Sequence, residues 1–352
     1  MAANSAPAPR GRPQLQLALQ GGGAHGAFTW GVLDRLLDEE AIDIGRVSGT
    51  SAGALNGAAL VCGLAAGGRQ GARSHLSRLW HGIATAAIPM TWMLSPLRKP
   101  GLGIWDDAMP LLSPYQANPL ALEPLRLVLS GIVETKVLNA PGPTALFTSA
   151  VNVNTGRCRV FGPGSQSVQA LLASACAPLL FQAVQIDGQA YWDGSYAGNP
   201  ALWPLYEPSP DVDILLVELT PQERDETPVT AKNILNRINE IASIQGMLAE
   251  LRTIDSANRA ADGAGVRLHV VSLPDGGTPL ETEPSIKRTV SMELFEALRQ
   301  RGHAACERWL AARADAGSLP PPVDLAARYL ARGGAQERGL PRPGSQGSEQ
   351  LP

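Results

Sequence analysis

Long apolar runs, paired cysteines, histidine and an excess of charge of either sign are what this sequence lacks. No stretch of its 352 residues is apolar for long enough to span a bilayer. The four cysteines, Cys62, Cys158, Cys176 and Cys306, include no CxxC pair, which argues against a zinc site and against a small disulfide scaffold. Each is flanked by apolar or small residues, so buried free thiols in a reducing, cytoplasmic compartment are expected. A net charge of -3 provides no overall attraction to nucleic acid or to an anionic surface, although local patches can still form. The N-terminal stretch, Met1 to Gln14, carries Arg10 and Arg12 without a following apolar segment, so it does not read as a signal peptide. Residues 1–14 and the Gly/Pro/Ser-rich stretch 333–352 are expected to be disordered. One domain over 15–330 is expected between them, and no internal repeat is visible.

What is present is 44% hydrophobic residues, enough for a large interior. Leu15 to Leu19 reads as a buried strand entering a turn of three glycines, and Gly26 to Leu37 follows at helical spacing. Ile42 to Val47 is a second strand, Gly49 to Gly53 a second glycine-bearing turn, and Ala54 to Ala66 a second helix. Strand, turn and helix twice in about fifty residues indicate an α/β fold with parallel strands. Leu146–Val153 and Cys158–Phe161 pair around Asn154-Thr155-Gly156, and Val168–Ala175 is a short helix. Val212–Leu219 and Val266–Leu273 read as strands inside a parallel sheet. Ile234, Ile238, Ile241, Leu248 and Leu251 mark an amphipathic helix, read as packing on the core rather than anchoring to a membrane. Val290, Leu294, Leu298, Cys306 and Trp309 mark another. Helices are thus expected over about 231–315.

Gly49-Thr50-Ser51-Ala52-Gly53 matches the G-x-S-x-G nucleophile elbow. A serine on a sharp strand-to-helix turn holds its hydroxyl above the sheet. Gly49 and Gly53 tolerate the bent backbone and leave room for a substrate, and the following helix favours developing negative charge at its N-terminus. Gln20-Gly21-Gly22-Gly23-Ala24-His25-Gly26 has two readings. Consecutive amides without side chains suit an oxyanion hole. Gly21-x-Gly23-x-x-Gly26 also fits a dinucleotide-binding turn, but that turn needs an acidic residue at the end of the second strand. The second strand ends in Ser48-Gly49-Thr50-Ser51, and Asp43 lies at its start, so acyl chemistry is the better fit. His25 is left without a role.

A serine nucleophile needs a proton acceptor. His269 lies inside a strand and His303 on a helix, and neither is followed or preceded by a glycine-rich loop that would bring it to the strand tips. Asp193, in Trp192-Asp193-Gly194-Ser195, follows a hairpin (Val184 to Tyr191) and precedes Gly198-Asn199-Pro200. It is a candidate base; an Asp-Gly turn of purely structural purpose is the alternative.

The glycine turn, the serine turn and Asp193-Gly194, in this order, resemble the bacterial patatin-like phospholipase family. Ala173-Ser174-Ala175-Cys176-Ala177-Pro178, Phe181 and Asn199-Pro200 are similar to it too. The resemblance covers about Leu15 to Leu219 well. It implies a three-layer α/β/α sandwich with a central, mostly parallel sheet, and a Ser51-Asp193 catalytic dyad with no histidine, metal or cofactor. It further implies an oxyanion hole built from the amides of Gly21, Gly22 and Gly23 with Ala52, and an acyl-enzyme on the way to hydrolysis of lipid esters. Gln20 departs from the aspartate that often precedes the glycines, which is expected to touch packing more than chemistry. The stretch from Pro89 to Pro124, rich in proline and without periodicity, reads either as a lid that contacts lipid transiently at a membrane surface or as a wall over the sheet. The alternatives to a phospholipase A are a thioesterase, a short-chain carboxylesterase or a polyester depolymerase on the same dyad. A non-catalytic lipid-binding protein and a dinucleotide-binding module are further alternatives.

Overall fold

The computed structural model describes residues 12–94, 113–117, 122–224, 227–261, 265–273, 290–315 and 317–330. The stretches expected to be disordered fall outside these residues, except for residues 12–14, of which Gln14 already belongs to the first strand. Strand β1 (Gln14–Leu19) leads through a 3-10 turn (Gly23–His25) into helix α1 (Gly26–Leu36). Strand β2 (Asp43–Thr50) leads directly into helix α2 (Ala52–Leu94). After α3 (Glu123–Ser130) come β3 (Leu146–Asn152), β4 (Cys158–Phe161), α4 (Val168–Ser174), β5 (Val184–Ile186) and β6 (Gln189–Asp193). The chain continues with β7 (Val212–Glu218), α5 (Ala231–Ala260), β8 (Val266–Ser272) and α6 (Met292–Ala311).

Five strands run parallel in the order β3-β2-β1-β7-β8. β4 and β6 are antiparallel to β3, and β5 is antiparallel to β6. The inner strands are apolar on both faces, as strands covered on both sides must be. In β1, Leu15, Leu17 and Leu19 pack into one core with α1, α2 and α6, while Ala18 faces a second core. β7 divides the same way, with Leu215 and Val217 on the first side and Ile214 and Leu216 on the second. There they meet Met247, Leu251 and Ile254 of α5. This is the mixed α/β architecture expected, with a mostly parallel sheet between helical layers.

Helices α1 and α6 cross with their backbones almost touching. A Cβ on Gly31 would lie 1.8 Å from the Arg299 carbonyl oxygen, and one on Gly302 would lie 1.9 Å from that of Phe28. Gly302→Val is therefore expected to destabilise the protein by about 1–3 kcal/mol or more. A urea midpoint that does not move would contradict this packing.

The first helical part of α2 ends at Ala66 as expected: Gly67 and Gly68 leave helical geometry, Gly68 with φ +58, and a second helix follows to Leu94. Two expectations need correction. The 89–124 stretch is not irregular where it is described. Its first six residues continue α2, Pro114–Ala117 is one helical turn, and Glu123 starts α3. Pro114 and Pro124 sit in first turns, where the missing amide proton costs nothing. Residues 95–112 and 118–121, where a lid was one expectation, lie outside the described residues. Finally, Cys62, Cys176 and Cys306 are buried free thiols, but Cys158 is exposed.

Candidate active site

The carboxyl ends of β1 and β2 meet where the strand order turns back from β2 to β7, the usual place for a site in an open parallel sheet. Ser51 occupies the bend between β2 and α2 with φ +53, a left-handed conformation rare for a residue with a side chain. The two glycines around it are sterically required. A Cβ on Gly53 would stand 2.1 Å from the Leu19 carbonyl oxygen, and one on Gly49 would stand 2.7 Å from the backbone of residues 53 and 54. The Ser51 amide donates to Ser174 Oγ at 2.8 Å, so the end of α4 holds the bend from the other side.

Asp193 reaches the same point by strand register. Ser149 of β3 pairs with Thr50 on one edge and Val160 on the other, while Ala150 pairs with Asp193 and with Arg159. Since β4 takes one edge throughout, β2 and β6 share the opposite edge and meet end to end. The residue after Thr50 and the last residue of β6 are thereby brought together. The carboxylate of Asp193 accepts a hydrogen bond from the Ser195 amide at 2.9 Å, and the hydroxyls of Ser195 and Ser51 stand near enough to favour its charged form. Its own amide donates to the Cys176 carbonyl at 2.8 Å. Burial raises the carboxyl pKa above the ordinary aspartate value, and the Ser195 amide and the two nearby hydroxyls restrain that rise.

The turn after Asp193 is pinned to the strand tips. Thr50 Oγ1 donates to the Gly198 carbonyl at 2.7 Å, and Ser48 Oγ donates to that of Ala201 at 2.5 Å. Asn199, fully buried, accepts the Gly21 amide on Oδ1 at 2.7 Å. That amide was expected to serve an oxyanion and is already engaged. The amides of Gly22, Gly23 and Ala52 have no acceptor among the described residues, and Gly22 and Gly23 line the cleft with Ser51. Gln20 Oε1 accepts the amides of Leu219 and Thr220, so this side chain ties β1 to β7.

The cleft is lined by Gly21, Gly22, Gly23, Ser51, Asp193 and Ser195 on the sheet side. Opposite stand Tyr196, Asn236, Asn239, Glu240 and Ser243. No histidine is among the described lining residues. His269 is buried far down β8, with Nε2 2.9 Å from Asp213 Oδ1 towards the amino end of β7, and His303 is exposed on α6. Asp43, the wrong end of β2 for a ribose contact, is likewise remote from the strand tips. Among the described residues no group of three or more His, Cys, Asp or Glu could hold a metal ion.

The patatin-like phospholipase family model matches residues 17–206, more than half of the chain. The chain belongs to this family. The matched region contains the second half of β1, all of β2 to β6 and every residue described on the sheet side of the cleft. No curated protein is significantly similar in sequence. Among solved structures, VipD of Legionella pneumophila is similar at 13% identity and a TM-score of 0.39, covering 91% of this chain and 73% of VipD. ExoU of Pseudomonas aeruginosa, solved in complex with SpcU, is similar at 16% identity and a TM-score of 0.30, covering 85% of this chain and 52% of ExoU. The family assignment rests on the matched model and not on these likenesses.

Several residues of this patatin-like site carried no assigned role in the sequence. Ser174 and Asn199 lay in stretches noted only for similarity, and Ser195 only as the neighbour of Asp193. Asn236, Asn239, Glu240 and Ser243 did leave a signal, a polar row at i, i+3, i+4 and i+7 of α5. The isoleucines of the same helix carry the more conspicuous periodicity.

Proposed function

We propose that this family member is a serine acyl hydrolase that cleaves lipid esters through Ser51 and Asp193. The observation that carries the reading is that Ser51, on a strained strand-to-helix bend, shares a cleft with the buried carboxylate of Asp193, which its hydroxyl helps to keep charged, beside amides without an internal acceptor. In the proposed reaction the Ser51 proton passes to Asp193 as Oγ bonds to the ester carbonyl carbon. The oxygen that gains negative charge is held by the amides of Gly22, Gly23 and Ala52. The C–O bond to the alcohol then breaks, the alcohol leaves with the proton from Asp193, and an acyl-Ser51 ester remains. Water, activated by the same carboxylate, releases the acid and restores the serine. Asn199 takes no part in the chemistry; by engaging the Gly21 amide it orients the two that follow.

Among the described residues no helix is long and apolar enough to cross a membrane. The reading places the protein in the cytoplasm, working at the periphery of a membrane. The polar wall of Asn236, Asn239, Glu240 and Ser243 supports a second reading, a carboxylesterase or thioesterase for short or polar acyl groups. Purified protein should be assayed on p-nitrophenyl esters of increasing chain length and on micellar phospholipid, with Ser51→Ala beside it. Preference for the soluble short esters would favour the second reading, and activity that survives Ser51→Ala would reject both.

Ser195 provides a finer test. Its hydroxyl stabilises the charged form of Asp193, so Ser195→Ala is expected to raise the carboxyl pKa further. The acid limb of kcat/KM against pH should move to higher pH, with the plateau little changed. An unmoved limb would argue that Asp193 is not the base.

A further inference from the structure

Helix α5 leans on the turn after Asp193 at Gly246, where a Cβ would stand 2.6 Å from the Ala197 carbonyl oxygen. Beyond that contact its two halves differ. The carboxyl half buries Met247, Leu251 and Ile254, as an amphipathic core helix should. The amino half is reversed: its polar row, Asn236, Asn239, Glu240 and Ser243, forms the cleft wall. Its apolar row, Ile234, Ile238 and Ile241 at i, i+4 and i+7, is 42%, 56% and 44% exposed. Packing on the core, the expectation for this helix, therefore holds for only half of it.

The reversed half is not a helix in search of a better seat. Glu240, almost fully buried, is paired with Arg224 at 2.7 Å and Arg237 at 3.2 Å, and the Tyr196 hydroxyl lies 3.2 Å from Asn239 Oδ1. These bonds hold the polar row inward and leave three isoleucines turned to solvent. Charge completes the pattern. The outward face from Ala231 to Ala249 carries no acidic side chain. Arg237 flanks the isoleucines and exposed Arg252 continues their row. A folded partner needs roughly 800 Å² on each side, far more than one short apolar row provides. A helix lying in a lipid headgroup layer needs only such a row with cations beside it.

We propose that the amino half of α5 docks the protein onto an anionic lipid surface, with its axis in the plane of the layer and its polar face over the catalytic cleft. The choice of a lipid surface as occupant rests on the lipid-ester reading, but docking can be measured without turnover. The full-length Ser51→Ala protein would be sedimented with vesicles of phosphatidylglycerol and phosphatidylcholine, and with vesicles of phosphatidylcholine alone. Binding at least tenfold tighter to the anionic vesicles is expected. Adding Ile234→Ser, Ile238→Ser and Ile241→Ser should weaken it at least tenfold, while the same three changes with Ser51 intact leave soluble-ester turnover unchanged. Ile238→Trp keeps the test open should the triple variant fold poorly, since the emission of the introduced indole should shift to the blue when anionic vesicles are added. The proposal is overturned if neither vesicle binds, if the triple variant binds like its parent, or if the indole emission stays constant on bound vesicles. It is equally overturned if the triple substitution dissociates an oligomer and leaves vesicle binding intact. Failure of the catalytic reading would show separately, as absence of fluorophosphonate labelling at Ser51.

Discussion

Ser51→Ala is expected to reduce kcat/KM on any ester by about 10⁴-fold or more, and to abolish labelling by a serine-directed fluorophosphonate. The size follows from the proposed chemistry, because no other nucleophilic group among the described cleft residues sits beside a base at the start of a long helix as Ser51 does. Ser195 is the only rival hydroxyl on the same carboxylate, but it lies two residues from Asp193 in a 3-10 turn (Gly194–Tyr196) and does not precede a long helix. Ser51 does, so negative charge developing at its oxygen lies at the positive end of α2. The substitution is also expected to leave stability unchanged or higher. Ser51 holds φ +53, and alanine suffers the same backbone strain without a hydroxyl to desolvate. Labelling that persists in Ser51→Ala would move the nucleophile elsewhere, with Ser195 the first place to look.

Asp193→Asn is expected to lower kcat by about 10³–10⁴-fold and, at the same time, to raise the melting temperature. Burial raises the carboxyl pKa in the folded state above its unfolded value. Between those two values the folded protein binds more protons than the unfolded chain. The stability contributed by the protonated carboxyl is fully present below the unfolded pKa and disappears as pH rises through the folded one. At neutral or alkaline pH the buried charge therefore weakens the fold. Asparagine can still accept the Ser195 amide without that charge. A gain on the order of 1 kcal/mol, roughly 2 °C, is expected at pH 8, and it should vanish as the pH falls below the ordinary aspartate range. Loss of stability in Asp193→Asn at pH 8 would mean that the carboxylate is better paired than its surroundings suggest. A rate unchanged by the substitution would remove Asp193 from the mechanism altogether.

How far the site could be read in the sequence depended on distance along the chain. The serine turn was legible because all its requirements are local. Glycines two residues either side of Ser51, an apolar strand before it and an alanine-rich helix after it lie within one short window, and the steric demands at Gly49 and Gly53 are satisfied there. The parallel strands were legible because burial on both faces needs continuous apolar runs, as in Ile214 to Val217. Asp193 was visible only as an Asp-Gly turn, since nothing near it announces that β6 meets β2 along one edge of β3. The roles of Ser174 and Asn199 were hidden for the same reason: each hydrogen bond joins segments far apart in sequence. Pro114 and Pro124 misled because proline is tolerated in the first turn of a helix, and a composition count does not register position.

By itself, then, the amino-acid order determined the elements, their α/β class and the chemical types available at the strand tips, because periodicity, glycine sterics and side-chain chemistry act over a few residues. The tertiary structure decided three further matters. Strand register placed Asp193 beside Ser51. The fold of the 194–201 turn brought Asn199 to the Gly21 amide and left those of Gly22 and Gly23 without an internal acceptor. The seat of α5 turned a polar row towards the cleft and an apolar row to solvent, although the apolar residues alone pointed the other way. In each case the outcome rests on which distant groups become neighbours, and hydrogen bonds and charge pairs such as Glu240 with Arg224 and Arg237 act only once that has happened.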